Sequence, residues 1–147
     1  MDVVEKVFNC KPSPSVIHQL RKKAHSQGYK LVIETALSRP IPNSMLRVKE
    51  IKGNKITYLP WYVANQILNK YCPGWSWEVT KIETTNDRVF IVGRLTIPTS
   101  EGNVYREATG TESLDCSSYG DPSSNAESMS FRRCAAKFGL GLYLYQK

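Results

Sequence analysis

Arg132, Arg133 and Lys137 are the residues best placed to do chemistry, and they fall within one short segment, SSNAESMSFRRCAAKFG. Phe131, Cys134, Ala135 and Phe138 recur there at i, i+3, i+4 and i+7, which predicts a helix with one buried stripe. The three cations lie off that stripe. Ser124 followed three residues later by Glu127 predicts a capping box at the start. Gly139 after Phe138 predicts the stop. Two adjacent arginines held out of a core by a rigid helix suit phosphate binding better than bond-making.

Other candidate chemistry is sparse. His18, His25 and Cys10 could imitate metal ligands, but their spacing fits no strong pattern, so no metal is expected. Glu107 and Glu112 share a predicted strand at an odd spacing and so face opposite ways. A two-metal nuclease needs convergent carboxylates. Gly139 to Gly141 follow a helix instead of opening one, which excludes a dinucleotide loop. No cofactor and no catalytic constellation is expected, and the chain is read as a non-enzyme. Tyr58 ends a predicted strand near Lys55 and just before a helix. Its ring suits either a core or a surface on which a base or sugar packs.

Charge agrees with a polyanionic partner. The chain of 147 residues carries a net charge of +7. Residues 1–60 hold eleven Lys or Arg against four Asp or Glu, whereas residues 61–147 hold nine of each, so the excess lies early in the chain. A basic surface of this kind attracts nucleic acid, although a merely solvated cationic surface has the same composition. No apolar run has the length of a membrane span and no signal-peptide pattern opens the chain. A soluble, cytoplasmic, nucleoid-associated protein with no membrane partner is expected. Cys10, Cys72, Cys116 and Cys134 form no CxxC pair, which favours free thiols over a zinc ribbon or a disulfide framework.

The elements that must position these residues follow from pattern. Ser13 and Pro14 open a helix with Val16, Ile17, Leu20 and Ala24 as its stripe, ended by Gly28. Leu31 to Leu37 predicts a strand, and Pro40 and Pro42 break the chain. Leu46 to Tyr58, with its turn at Gly53-Asn54, predicts a hairpin. Pro60 opens a helix carrying Trp61, Ala64, Ile67, Leu68 and Tyr71, and Pro73-Gly74 ends it. A three-stranded meander follows. Trp75, Trp77 and Val79 alternate in its first strand. Val89, Ile91, Leu95 and Ile97 face one way in the second, opposite Phe90 and Val92. The third runs from Val104 to Glu112, and Trp61, Trp75 and Trp77 are all expected in the core. The fold class is α+β: an antiparallel β-meander, a β-β-β-α core, packed on helices. Residues 1–43 form an arm, helix and strand, and residues 44–147 the core, within one compact domain.

Several blocks, in this order, resemble the Rad fifty-two/Rad twenty-two type of single-strand annealing protein, including its bacterial relatives of the DdrA kind. They are NQILNKYCPGWSWEV, RVFIVGRLTIP, YREATGTES and SSNAESMSFRRCAAKFG, and the resemblance spans about residues 44–145. It implies assembly of copies into a ring or filament, and an inner groove that grips the backbone of single-stranded DNA. By resemblance the groove residues are Arg47, Tyr58, Arg132 and Arg133, with Lys49, Lys55 and Lys137 as neighbouring cations. Arg88 matches a hairpin-tip lysine linked to a second, outer DNA site. Two departures stand out: Ala136 replaces the family's third basic helix residue, with Lys137 beside it, and the SLDCSSYGDPSS loop lacks the outer-site lysine. The chain also ends where the annealing core ends, which implies that the partner-binding tails are missing. The implied function is annealing of complementary strands or protection of DNA ends in recombination and break repair, by backbone contacts with slight sequence preference. The alternatives are a DNA-processing nuclease and an RNA-binding module.

Overall fold

Glycine and alanine on two neighbouring strands decide how closely the last helix can lie on the sheet, and that approach organises the fold. The computed structural model describes residues 37–99, 102–116 and 120–146. The expected helix at Ser13–Gly28, with Cys10, His18 and His25, lies outside the described residues. Of the expected strand at 31–37 only Leu37 is described, and it is helical and fully buried.

Two antiparallel sheets are present among the described residues. β1 (Arg47–Ile51) and β2 (Asn54–Tyr58) form a hairpin, with Arg47 opposite Tyr58 and Ile51 opposite Asn54. Its two-residue turn is Lys52-Gly53, one residue earlier than expected, with φ of 50° and 78°. Positive φ at both turn residues matches the twist of the flanking strands, and glycine takes the second position without strain. α1 (Trp61–Tyr71) follows Pro60, and β3 (Ser76–Thr84), β4 (Arg88–Thr99) and β5 (Gly102–Ser113) form the meander in the order β3-β4-β5. The α+β class and the antiparallel meander are as the pattern predicts.

Alternation fixes the buried face of β4. Val89, Ile91, Leu95 and Ile97 are buried, while Phe90 is exposed. A register shift between Val79 and Lys81 changes the parity of β3, so Ile82 rather than Lys81 shares a face with Ile91. Val79 and Ile82 nevertheless remain exposed, because they lie towards the edge of the sheet.

α2 (Pro122–Lys137) lies across β4 and β5. Its N-cap falls three residues earlier than the expected Ser124. Asp121 is the N-cap, its carboxylate accepting from the Ser123 amide at 3.1 Å, and Pro122 takes the first helical position. The hydrogen bonds from Ser123 hold the Asp121 carboxyl below the usual carboxylate range. Ser124 is therefore inside the helix, and Glu127 turns to the Trp77 indole, which donates to its Oε1 at 3.0 Å. Phe131, Cys134, Ala135 and Phe138 are buried as expected, together with Ala126, Ser130 and Ala136. Gly139 ends the helix with φ of 109°.

The helix–sheet contact is made by small residues. A Cβ on Gly110 would stand 1.8 Å from the Ala126 carbonyl oxygen and 2.7 Å from the Ser130 amide. A Cβ on Gly93 would stand 2.0 Å from the Trp77 ring. Ser130, fully buried, donates its hydroxyl to the Ala108 carbonyl at 2.7 Å, so its burial leaves no unpaired donor. One core then joins Leu37 and Ile41 to Val63, Ala64, Ile67 and Leu68 of α1, Leu95 and Ile97 of β4, and Phe138. Trp75 and Trp77 pack against this core, but Trp61 is half-exposed at 52 %, which corrects its expected burial. Cys72 and Cys134 are buried thiols, pushed up by burial to about 12 and about 11. Cys116 is a third free thiol among the described residues.

Gly110→Ala should cost about 3 kcal/mol or more, since the clash is with helix backbone, which cannot rotate aside. Thermal unfolding checks this: a melting temperature within about 2 °C of the parent would show that α2 can lift off the sheet without loss.

Candidate nucleic-acid interface

The hairpin and α2 meet across one tyrosine ring. Arg47, Lys49 and Tyr58 lie on the same face of the β1–β2 ribbon, because side chains alternate along each strand. The Lys49 ammonium and the Arg132 guanidinium each stand 5.1 Å from the centroid of the Tyr58 ring. Two cations thus share one aromatic surface, each attracted to its quadrupole. Arg132 is further held by its Nε, which donates to the Ser128 carbonyl one turn back at 3.2 Å.

Clefts open on both sides of this cluster. One, of about 580 Å³, runs from Lys49 and Tyr58 past Trp61 to Ser124, Ser128 and Arg132. The other, of about 370 Å³, runs from Tyr58, Arg132 and Arg133 to Leu140, Leu144 and Tyr145. Glu112, on the α2 side of β5, lines the first. Its carboxylate accepts from the Ser113 amide at 2.8 Å and the Asn125 side chain at 3.4 Å. Burial and the nearby Arg132 charge pull the Lys49 ammonium below the ordinary lysine range, and Glu112 partly offsets them.

The remaining candidates are dispersed. Arg47 sits beside Tyr58, but its guanidinium turns to the carbonyls of Ser44 and Leu46, at 3.3 and 3.1 Å. Lys55 pairs across from Glu50, on the other face of the hairpin. Arg133 lines the smaller cleft, yet its guanidinium donates to the Thr109 carbonyl at 2.9 Å and to the Thr109 hydroxyl at 3.2 Å. The Lys137 ammonium donates to the Glu107 carbonyl. Both carbonyls belong to β5, an edge strand of the meander. Arg88 lies on the face of the sheet away from α2 and donates to the Thr111 hydroxyl at 3.2 Å. Lys49, Tyr58 and Arg132 therefore converge, Arg47 flanks them, Arg133 lines the smaller cleft with its guanidinium on β5, and Lys55, Lys137 and Arg88 point elsewhere.

Sequence reasoning missed the part of Glu112 in the cleft and the wall formed by Leu140–Tyr145. The odd spacing of Glu107 and Glu112 was visible, and Glu107 does face away, bonded to Arg94 at 2.7 Å. Nothing in the sequence shows that the hairpin folds over the Glu112 side. Among the described residues, no three His, Cys, Asp or Glu stand close enough to hold a metal ion, and no helix is long and apolar enough to cross a membrane.

Comparison with known proteins places the chain in a family. The profile described as Rad52/22 family double-strand break repair protein matches residues 30–147, and the chain belongs to that family. It is 40% identical over 113 residues to the "DNA repair RAD52-like protein 1, mitochondrial" of Arabidopsis thaliana. It is 39% identical over 115 residues to the "DNA repair RAD52-like protein 2, chloroplastic" of the same plant. Each match covers 76% of this chain, and 64% and 58% of the two relatives, so the chain spans about three-fifths of their length. Both relatives carry organelle addresses in their names, which overturns the expected cytoplasmic, nucleoid-associated location. The physical reason is plain: a basic cleft records the charge of its partner, and that charge is the same in every compartment.

Arg133→Ala should lower stability by about 1 kcal/mol, a few degrees of melting temperature, through the lost Thr109 contacts. Arg132→Ala should cost about half that or less, since among the described residues Arg132 is bonded only within its own helix and to the Tyr58 ring. Thermal melts of the two variants side by side check the order; the reverse order would mean that the edge contact contributes nothing.

Proposed function

We propose that this protein binds single-stranded DNA in the cleft between the hairpin and α2 and, as a homo-oligomer, promotes annealing of complementary strands or protects DNA ends. The observation that carries this reading is the Tyr58 ring with Lys49 and Arg132 both 5.1 Å away, in an open cleft of a Rad52/22 family chain. The relatives' names supply the setting, DNA repair.

The mechanism is physical. Lys49, Arg132 and Arg133 neutralise phosphates and release counterions, which gives affinity without reading sequence. Tyr58 offers a ring to sugar or base between the two cations. Arg47 stands beside Tyr58 with its guanidinium on the exposed Ser44 carbonyl and the part-buried Leu46 carbonyl, and a phosphate can replace the first of these. Lys55 and Lys137 contribute to the general field, since each faces away from the cleft, and Arg88, on the sheet face away from α2, stands where a second, outer contact with DNA would form. Backbone binding leaves most base edges along the strand free to pair, which is the requirement for annealing. One subunit offers only a few phosphate contacts, so useful affinity needs linked sites, and a ring or filament of copies supplies them by avidity.

Titrating single-stranded oligonucleotides at several salt concentrations tests the site. Arg132→Ala should weaken binding and flatten the plot of log affinity against log salt by about one unit or slightly less. A folded Arg132→Ala protein with unchanged affinity and slope would move the DNA away from α2. A strand-annealing assay and light scattering on the same samples test the rest. The particle should be much heavier than a dimer, and a monomer mass with and without DNA would defeat the assembly.

The lowered Lys49 pKa adds a pH signature. Phosphate binding favours the protonated amine, so affinity should fall as pH rises through the Lys49 value, below the 10.5 of an ordinary lysine. Lys49→Arg should hold affinity flat through that window. If both proteins lose affinity together, Lys49 does not touch the strand.

A further inference from the structure

A third recess, of about 360 Å³, opens between α1 and the first turns of α2, and it has a different chemistry from the two clefts beside Tyr58. Trp61, Trp75, Trp77 and Phe131 supply its aromatic lining, and among the described residues no lysine or arginine lines it. The rings are held in place. Trp77 meets Phe131 edge-on at 5.1 Å and Trp75 lies 5.8 Å from it. The Trp75 indole donates to Asn69 at 2.8 Å and the Trp77 indole to Glu127 at 3.0 Å. Trp61 stands over the mouth, half-exposed. The polar groups are Asn65, Glu127 and the Ser124 and Ser128 hydroxyls. Glu127 is acceptor-only, and Trp77 uses one of its roughly four acceptor positions.

Position gives the recess its ligand. Trp61, Ser124 and Ser128 line both this recess and the larger cation cleft, so the two are continuous. Glu127 and Arg132 are both on α2, one lining the recess and the other the cation cleft, with Ser128 of the same helix lining both. A carboxylate repels phosphate but accepts from a base, and flat rings stack on a base whatever its identity. Resting on the single-stranded DNA reading above, we infer that this recess takes one unstacked nucleobase of the bound strand and favours bases whose Watson–Crick edge carries donors, guanine most and thymine least. Guanine presents two adjacent donors there to the Glu127 carboxylate. Thymine presents one donor between two carbonyl oxygens, which the carboxylate repels. Aromatic rings beside a carboxylate also suit a cationic side chain. The Lys49 and Arg132 charges in the adjoining cleft repel such a visitor and attract the nucleotide's phosphate.

The test compares a short thymine-only strand with the same strand carrying isolated guanines, titrated against the full chain. The guanine strand should bind about tenfold more tightly, which corresponds to about 1.4 kcal/mol. Glu127→Gln, whose amide oxygen can still accept from Trp77, should keep thymine binding and lose most of the preference. Trp61→Ala should shrink the preference as well. Equal affinity of the parent for both strands, with thymine binding still dependent on Arg132, would overturn the base pocket and leave the DNA reading intact. Failure to bind either strand would overturn both. Competition against the guanine strand by a blocked arginine amide, with guanosine monophosphate inert, would assign the recess to a cationic side chain and overturn the inference.

Discussion

The site depends on how closely α2 lies on β4 and β5. Gly110 leaves room for the Ala126 carbonyl, Gly93 for the Trp77 ring, and Ser130 anchors to Ala108. With the buried stripe pressed down at these points, the helix has one allowed rotation. That rotation places Arg132 towards the hairpin, Arg133 and Lys137 over the edge of β5, and Glu127 into the tryptophan recess. The side chains that carry the chemistry are thus aimed by residues with almost no side chain of their own.

The cleft is a balance of like charges held close. Lys49 and Arg132 repel each other, and burial adds to the cost of the Lys49 charge. The Tyr58 ring and the Glu112 carboxylate offset part of that cost without cancelling it. An anion that enters the cleft relieves the remainder. A surface arranged in this way is less comfortable empty than filled, and this distinguishes it from a basic patch spread over solvent.

Much of this was legible in the sequence. Binary patterning located the hairpin, α1, the meander and the buried stripe of α2, because periods of two and near four are written directly in residue order. The cap of α2 was misplaced because Ser124 and Glu127 imitate a capping box, while Asp121-Pro122 offers a better start. Trp61 was assigned to the core because residue type speaks for burial but not for which side of a helix start is covered. The convergence of Lys49, Tyr58 and Arg132 was visible only through family resemblance, since no local pattern records that a hairpin folds over a helix about seventy residues later. The separate fates of Arg132 and Arg133 were invisible for a simpler reason. Neighbours on a helix differ by about a hundred degrees in direction, and only the position of β5 decides which of them finds a carbonyl.

Arg133 and Lys137 have a further effect through the carbonyls they occupy. Their donors sit on Thr109 and Glu107 of β5, so a strand adding to that side would have to displace two charged groups. Among the described residues no strand pairs with the outer side of β3. Among these residues the two margins of the meander therefore differ, one guarded by cations from α2 and the other with no strand beside it.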